Sequence, residues 1–310
     1  MPAVDKTDIM TEIEGWLGLS RPPFHTLGIL PFCLGTFLAW HRDHVFHIPA
    51  FILSFIGIVM VMISTYYAEE YFSLAEHERS KYPSRGFLSG GSVTLPDLIF
   101  RRSGPFRSSF LTIALALLIG IILQFGLGTG PYTLVLGCLG AMPGLLYAAR
   151  PISRVDQGYS EIVIASFYGW LPVAAAFYIQ QGCITPGIHR MALPIGLSIF
   201  NVVLLNEFPA HAFQAAAGRM NLLHQLGKAK GAALYCLTSI LSWFSMYASL
   251  SAGIPRKALY IYLPVMIMSA GISLMMAGKR YENPLFLEIL CGLNIAVHLG
   301  TMAAYFLAFL

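Results

Sequence analysis

The chain has 310 residues, of which 56% are hydrophobic and only 11% charged, with a mean hydropathy of +0.68. A soluble domain carries about 25% charged residues, so this composition excludes a water-soluble enzyme and points to a polytopic membrane protein. The net charge of +4 requires no nucleic-acid partner, because the bases follow membrane topology.

The first 20 residues are polar and acidic, without the basic stretch and apolar core of a signal peptide. Nine apolar segments follow, near 24–40, 49–76, 109–127, 130–149, 160–180, 191–213, 232–250, 258–277 and 285–309. Each reaches the roughly 17–25 residues that a bilayer crossing needs. Within lipid the backbone must satisfy its own polar groups, so all nine are predicted as transmembrane helices. The second and sixth are expected to continue into polar helical turns. The predicted fold class is all-α integral membrane, a single domain over 1–310 bundled around a polar cavity that faces the cytoplasm.

Lysine and arginine set the orientation, since they accumulate in cytoplasmic loops. Fifteen lie on the side of the N-terminus and of the loops after the second, fourth, sixth and eighth segments, against four on the other side (Arg42, Arg190, Arg256 and Lys257). The N-terminus is therefore expected in the cytoplasm and the C-terminus outside or in the periplasm, with the cell inner membrane as the site. The two longest polar connections, about 69–108 and 208–231, fall on the basic face. Long loops are more often functional than short ones, so these two are expected to cap the cavity.

Each of these connections starts at the end of an apolar helix, passes acidic and histidine residues and then turns basic. In "STYYAEEYFSLAEHERSKYPSRGFLSGGS", Glu69, Ser73 and His77 share one helix face. In "LLNEFPAHAFQAAAGRMNLLHQLGKAKG", Asn206, Ala210 and Gln214 have the same spacing, with Glu207 and His211 on the adjacent stripe. Ionisable groups at membrane depth mark a functional cavity by default. The alternative is that Glu69, Glu70 and Glu76 lie beyond the hydrocarbon and are solvated.

The five cysteines stand singly, without ligand spacing, and read as small buried hydrophobes. The outer "HRDHVFH" is a short loop whose histidines are irregularly spaced. Methionines in "VMVMIS" and "VMIMSAGISLMMAG" read as packing or lipid-facing residues. Small residues, as in "GLGTGPYTLVLGCLGAMPG", allow close helix approach.

Four stretches, in order along the chain, carry a family resemblance. They are "WLGLSRPPFHTLGILPFCLGTFLAW" with its Arg21–Pro22 pair, "EEYFSLAEHE…GFLSGGS", "YAARPISRVDQGYSEIVIASFYGWLPV" with its Gly-x-x-Glu, and "NEFPAHAFQAAAGRMNLLHQLG". Together they resemble the UbiA superfamily of intramembrane prenyltransferases, nearest the branch that prenylates dihydroxynaphthoate in menaquinone synthesis. The resemblance implies a polyprenyl diphosphate held on magnesium by two aspartate motifs, with bases neutralising the leaving group and an aromatic or other lipid-soluble acceptor capturing the allylic cation. Substrate-binding roles would fall to Arg21, Arg150, Arg154, Arg219 and Lys228, and catalytic roles to Tyr147, Glu70 and Asn206.

The chain departs from the family where the metal belongs. The first motif's Asn and two Asp positions match Glu69, Ser73 and His77. The second retains Asn206, but its aspartate positions match Ala210 and Gln214. Magnesium favours carboxylate, phosphate and water oxygens, so it is only weakly expected here. Glu69, Glu70, His77, Glu207 and His211 form an alternative carboxylate and imidazole set suited to zinc, manganese or iron. Three readings stay open: a prenyltransferase with an altered metal requirement, a non-catalytic relative that binds a lipid, quinone, partner or transition metal, and an enzyme turned to terpene cyclisation or metal-centred chemistry.

Overall fold

A computed structural model describes residues 16–77, 103–148, 158–216 and 221–310. Among the described residues every regular element is helical. Helix α1 is Pro22–Asp43, α2 is Ile48–His77, and α3 is Ser103–Ile121, continued by a π-helical turn Ile122–Gly126. Then come α4 (Thr133–Ala148), α5 (Ser160–Ala165), a second π-helical turn Ser166–Trp170, and α6 (Leu171–Gln181). The remainder is α7 (Pro186–Ala216), the short α8 (Leu222–Leu226), α9 (Lys228–Ser249), α10 (Lys257–Ala277) and α11 (Pro284–Phe309).

The nine apolar segments all fall on these helices, but seven helices among the described residues are long and apolar enough to cross a membrane. The other two differ for local reasons. Helix α1 carries His25, Thr26, His41 and Arg42 along its length, and α4 is an apolar helix of 16 residues, Thr133–Ala148. As predicted, α2 and α7 run on into polar turns, to His77 and Ala216. The proposed capping loops lie in part outside the described residues.

Sequence chemistry sets the helix ends. Proline follows Arg21 at the start of α1, where its missing N–H leaves no orphan donor. Asn283 caps α11, accepting from the amides of Leu285 and Phe286. Gly182 closes α6 with a φ of 73°, a conformation in which a Cβ would be strained.

Helix α2 packs on α3 and α4, α1 lies along α6, and α7 packs against α9 and α11. With lipid as apolar as leucine, such contacts depend on close approach and on hydrogen bonds. Close approach is clearest at Gly35 of α1, where an added Cβ would stand 2.2 Å from the Val173 carbonyl oxygen of α6. The α7–α9–α11 interface is instead polar inside. Asn201 bonds Ser239 and Thr238, the Tyr235 hydroxyl donates to Asn294, and Ser198 meets His298 at 2.8 Å. These pairs satisfy groups that lipid cannot and lock the half of the bundle that carries Asn206 and Glu207.

Candidate functional site

Two polar clusters and one apolar cavity make up the site. The first cluster joins α1 to α2. Arg21 Nη1 donates to Glu69 Oε2 at 3.1 Å, with side chains 13% and 14% exposed. The guanidinium lies 5.8 Å from the centroid of the Tyr66 ring, within cation–π range. The His25 ring sits 5.4 Å from Tyr66, and its Nε2 donates to the Ser20 carbonyl at 2.7 Å. Arg21 itself has φ 51° and ψ 61°, a left-handed conformation that costs a non-glycine residue about 1–3 kcal/mol and recurs at functional sites. The strain turns its side chain back against α2. Tyr168 completes the cluster from the π-helical turn and interacts with Tyr66 through their hydroxyls. Such turns often re-aim a side chain at a site.

The second cluster joins α5, α7 and α8. Glu161 is fully buried, and its Oε1 accepts from the Leu222 amide at 2.9 Å. Glu207, also buried, accepts from the next amide, Leu223, at 3.4 Å. Asn221 caps the same helix by accepting from the His224 amide. Asn206 Oδ1 and Glu161 Oε2 are buried without a hydrogen-bond partner among the described residues. The His211 and His224 rings stand 5.5 Å apart, and Lys228 lies exposed at the start of α9.

These positions decide how far a metal fits. Among the described residues no three His, Cys, Asp or Glu side chains group as ligands, so Glu69, Glu207 and His211 do not converge. Glu69 is engaged by a guanidinium, and one oxygen each of Glu161 and Glu207 is engaged by backbone amides. Ala210 offers no donor at all. The described residues do not fit a magnesium clamp built from two aspartate motifs. The side chains of Glu70, His77 and Tyr147 lie outside the described residues, as do Arg150, Arg154 and Arg219 altogether.

Below the first cluster lies an apolar cavity of about 560 Å³, whose lining includes Gly28, Met62, Tyr168, Leu117, Gly137 and Leu123. Its size is that of a small-molecule site. Gly28 stands seven residues along α1 from Arg21, and Met62 seven residues along α2 from Glu69. At 1.5 Å per residue both lie about 10 Å beneath the ion pair. The arrangement is a greasy slot with a polar head.

Sequence reasoning picked out Arg21 and Glu69 separately but not their pairing, met Glu161 only as the Glu of the Gly-x-x-Glu, and did not single out Tyr66 or Tyr168. Glu161 had a usable signal, a lone carboxylate opening a membrane helix. Tyr168 had none, because its direction depends on the π-helical turn.

The slot and its polar head lie on an all-helical bundle with seven helices, among the described residues, long and apolar enough to cross a membrane. No protein-family model matches the chain. It is 25% identical to 1,4-dihydroxy-2-naphthoate octaprenyltransferase of Escherichia coli K12 over 71% of this chain and 70% of that protein. It is 20% identical to 2-carboxy-1,4-naphthoquinone phytyltransferase of Synechocystis over 77% and 73%. A UbiA homologue from Archaeoglobus fulgidus, solved with GPP and Mg2+, shares the fold with a TM-score of 0.62 at 13% identity, over 93% of this chain and 99% of that one. A digeranylgeranylglyceryl phosphate synthase structure gives 0.64 at 15% identity, over 96% and 98%. The chain is thus similar in sequence to dihydroxynaphthoate and carboxynaphthoquinone prenyltransferases and shares the fold of UbiA homologues.

Proposed function

We propose that the chain transfers a prenyl group from a polyprenyl diphosphate to an aromatic or other lipid-soluble acceptor, with an altered metal site. The observation that carries this reading is the apolar cavity ending beneath the Arg21–Glu69 pair. A prenyl tail would occupy the slot and its diphosphate would lie at the mouth. Arg21 and Lys228 would meet the phosphate charge together with Arg150, Arg154 and Arg219, arginine forking onto phosphate oxygens. The allylic C–O bond breaks and its electron pair leaves on the diphosphate. The acceptor's electron pair then closes the new bond to the allylic carbon, and the acceptor's proton departs to water at the mouth. Tyr168 and Tyr66 frame the point where the cation forms, and a ring face stabilises such a charge. Tyr147 and Glu70 are assigned to the same place by family resemblance.

A divalent metal supplies charge neutralisation to a departing diphosphate when it is bound. Among the described residues, the buried oxygen of Asn206, next to Glu207 in sequence, is a position that would hold one, and Glu69, Glu70, His77 and His211 remain the other ligands proposed from the sequence. The nine-helix bundle, its two cytoplasmic capping loops, the cytoplasmic N-terminus, the outward C-terminus and the placement in the inner membrane belong to the same proposal, supported by the distribution of lysine and arginine.

A second reading, a repurposed lipid or quinone binder, is favoured by one specific observation. Glu69 is neutralised by Arg21, so the head of the slot already holds a balanced pair. Incubation of the purified chain with labelled geranylgeranyl diphosphate and 1,4-dihydroxy-2-naphthoate separates the two. A prenylated product with released diphosphate is expected. Retained diphosphate binding without product from this and other aromatic acceptors would replace the transferase reading with the binding one.

A further inference from the structure

Helices α7, α9 and α11 contribute nothing to the lining of the slot, yet the interior they share is polar. Along α11, Asn294, His298, Thr301 and Tyr305 are buried at spacings of four, three and four residues, which puts them on one helix face. Asn294 is 1% exposed and the other three are 0% exposed. Polar and ionisable groups at such depth mark functional positions by default, and no step of the prenyl transfer uses these.

Two of the four keep a bare atom. The Tyr235 hydroxyl of α9 donates to Asn294 Oδ1 at 2.9 Å, while Asn294 Nδ2 has no hydrogen-bond partner among the described residues. On the α7 side, the Ser198 hydroxyl donates to the Ile195 carbonyl at 2.7 Å. With its one hydrogen committed there, Ser198 must accept at its 2.8 Å contact with His298 Nδ1. The neutral imidazole is thereby fixed with its proton on Nδ1. Its Nε2 is then a lone pair, also without a partner among the described residues.

The two bare atoms are neighbours. Residues four apart on a helix stand about 5–6 Å apart at Cβ. A helical side chain also leans over the turn N-terminal to its own Cα, which carries the His298 ring toward Asn294. One N–H and one lone pair at this spacing call for a group that both accepts and donates. A metal cation would meet the amide hydrogens, and an anion would meet the Nε2 lone pair. Water suits both, reaching each with a hydrogen bond of about 2.9 Å. Ser239, close to the Tyr235 hydroxyl, accepts from Asn201 and donates to the Tyr235 carbonyl. That leaves it one lone pair for the second hydrogen of the water. Three partners is the usual complement of a buried water, whereas bare polar atoms inside a membrane bundle are costly. Toward Asn206 the packing turns apolar, with Leu204, Leu205, Leu287 and Leu290 at most 5% exposed, so the position is separate from the second cluster.

We infer that α7, α9 and α11 enclose a binding site for water, one molecule bridging Asn294 Nδ2 to His298 Nε2. The bridge completes the hydrogen bonding that ties α11 to the helix carrying Asn206 and Glu207.

The test is water-edited solid-state NMR of the full chain in lipid bilayers, with labelled histidine and with the His298 signals assigned by their loss in His298→Gln. Exposed His44 serves as the wet reference. His298 is expected to be protonated on Nδ1 and to receive polarisation from water on its ring carbons. Asn294→Leu is expected to lose that transfer while His44 is unchanged. Tyr235→Phe, which leaves Asn294 Nδ2 in place, is expected to keep it. No transfer to His298 in the parent, at mixing times that fill the His44 signal, would overturn the site. Undiminished transfer in a folded Asn294→Leu variant would do the same. If Asn294→Leu does not fold, the parent spectrum decides alone.

Discussion

Replacing Gly35 with alanine tests the packing on which the polar head depends. The added Cβ would lie 2.2 Å from the Val173 carbonyl oxygen and 2.9 Å from the Ala176 Cβ. Two of its three nearest atoms are backbone, which cannot rotate away. To reach an ordinary contact of 3.4 Å, α1 and α6 must part by about 1.2 Å. Overpacking of this kind costs about 1–3 kcal/mol. Arg21 lies fourteen residues toward the N-terminus on the same helix, so displacement of α1 from α6 also loosens the Arg21–Glu69 contact. Thermal unfolding in detergent reads the stability change, with Gly137→Ala as a matched control because its Cβ meets open space. Gly35→Ala is expected to unfold at clearly lower temperature and to bind geranylgeranyl diphosphate more weakly, while Gly137→Ala stays within about 0.5 kcal/mol of the parent. Equal stability of the two variants would refute the argument that this helix crossing is set by the absence of a side chain.

The second cluster makes a separate claim. Glu161→Ala removes the acceptor of the Leu222 amide, a charge-assisted bond of about 1.5–3 kcal/mol, so hydrogen exchange at that amide should accelerate by about tenfold or more. Unchanged exchange there would show that the carboxylate does not hold α8. Orientation can be read from a native thiol, because Cys183 is exposed beside the turn between α6 and α7. A membrane-impermeant maleimide should label it in intact cells and fail with Cys183→Ser, whereas labelling only after lysis would reverse the proposed topology.

Much of the helical framework is legible in the sequence, because lipid permits few backbone solutions and apolar runs of about 20 residues announce themselves. The polar extensions of α2 and α7 are legible for the same reason: helical spacing of Glu69 and of Asn206 continues past the apolar runs. The site is harder to read. Arg21 and Glu69 are 48 residues apart, and nothing in either segment says that a guanidinium reaches the first acidic position. That pairing depends on how α1 is seated and on a left-handed residue before proline, a conformation that local preference disfavours. Glu207 reads as a candidate ligand because it ends a long apolar helix, but the sequence does not reveal that one of its oxygens accepts from the Leu223 amide. The cavity has no sequence signature at all. It is lined by residues of α1, α2, α3, α4 and α6 together, a property of packing and not of any one segment.

The central claim is that the slot beneath Arg21 and Glu69 holds the isoprenoid tail. It is tested most directly by photocrosslinking with a geranylgeranyl diphosphate bearing a diazirine at its terminal isoprene, followed by peptide mapping. Adducts are expected at the far end of the slot, around Leu123, Thr133 and Leu134, and should be competed away by unlabelled geranylgeranyl diphosphate. Competed adducts confined to α9, α10 and α11 would place the tail in the other half of the bundle and contradict the account.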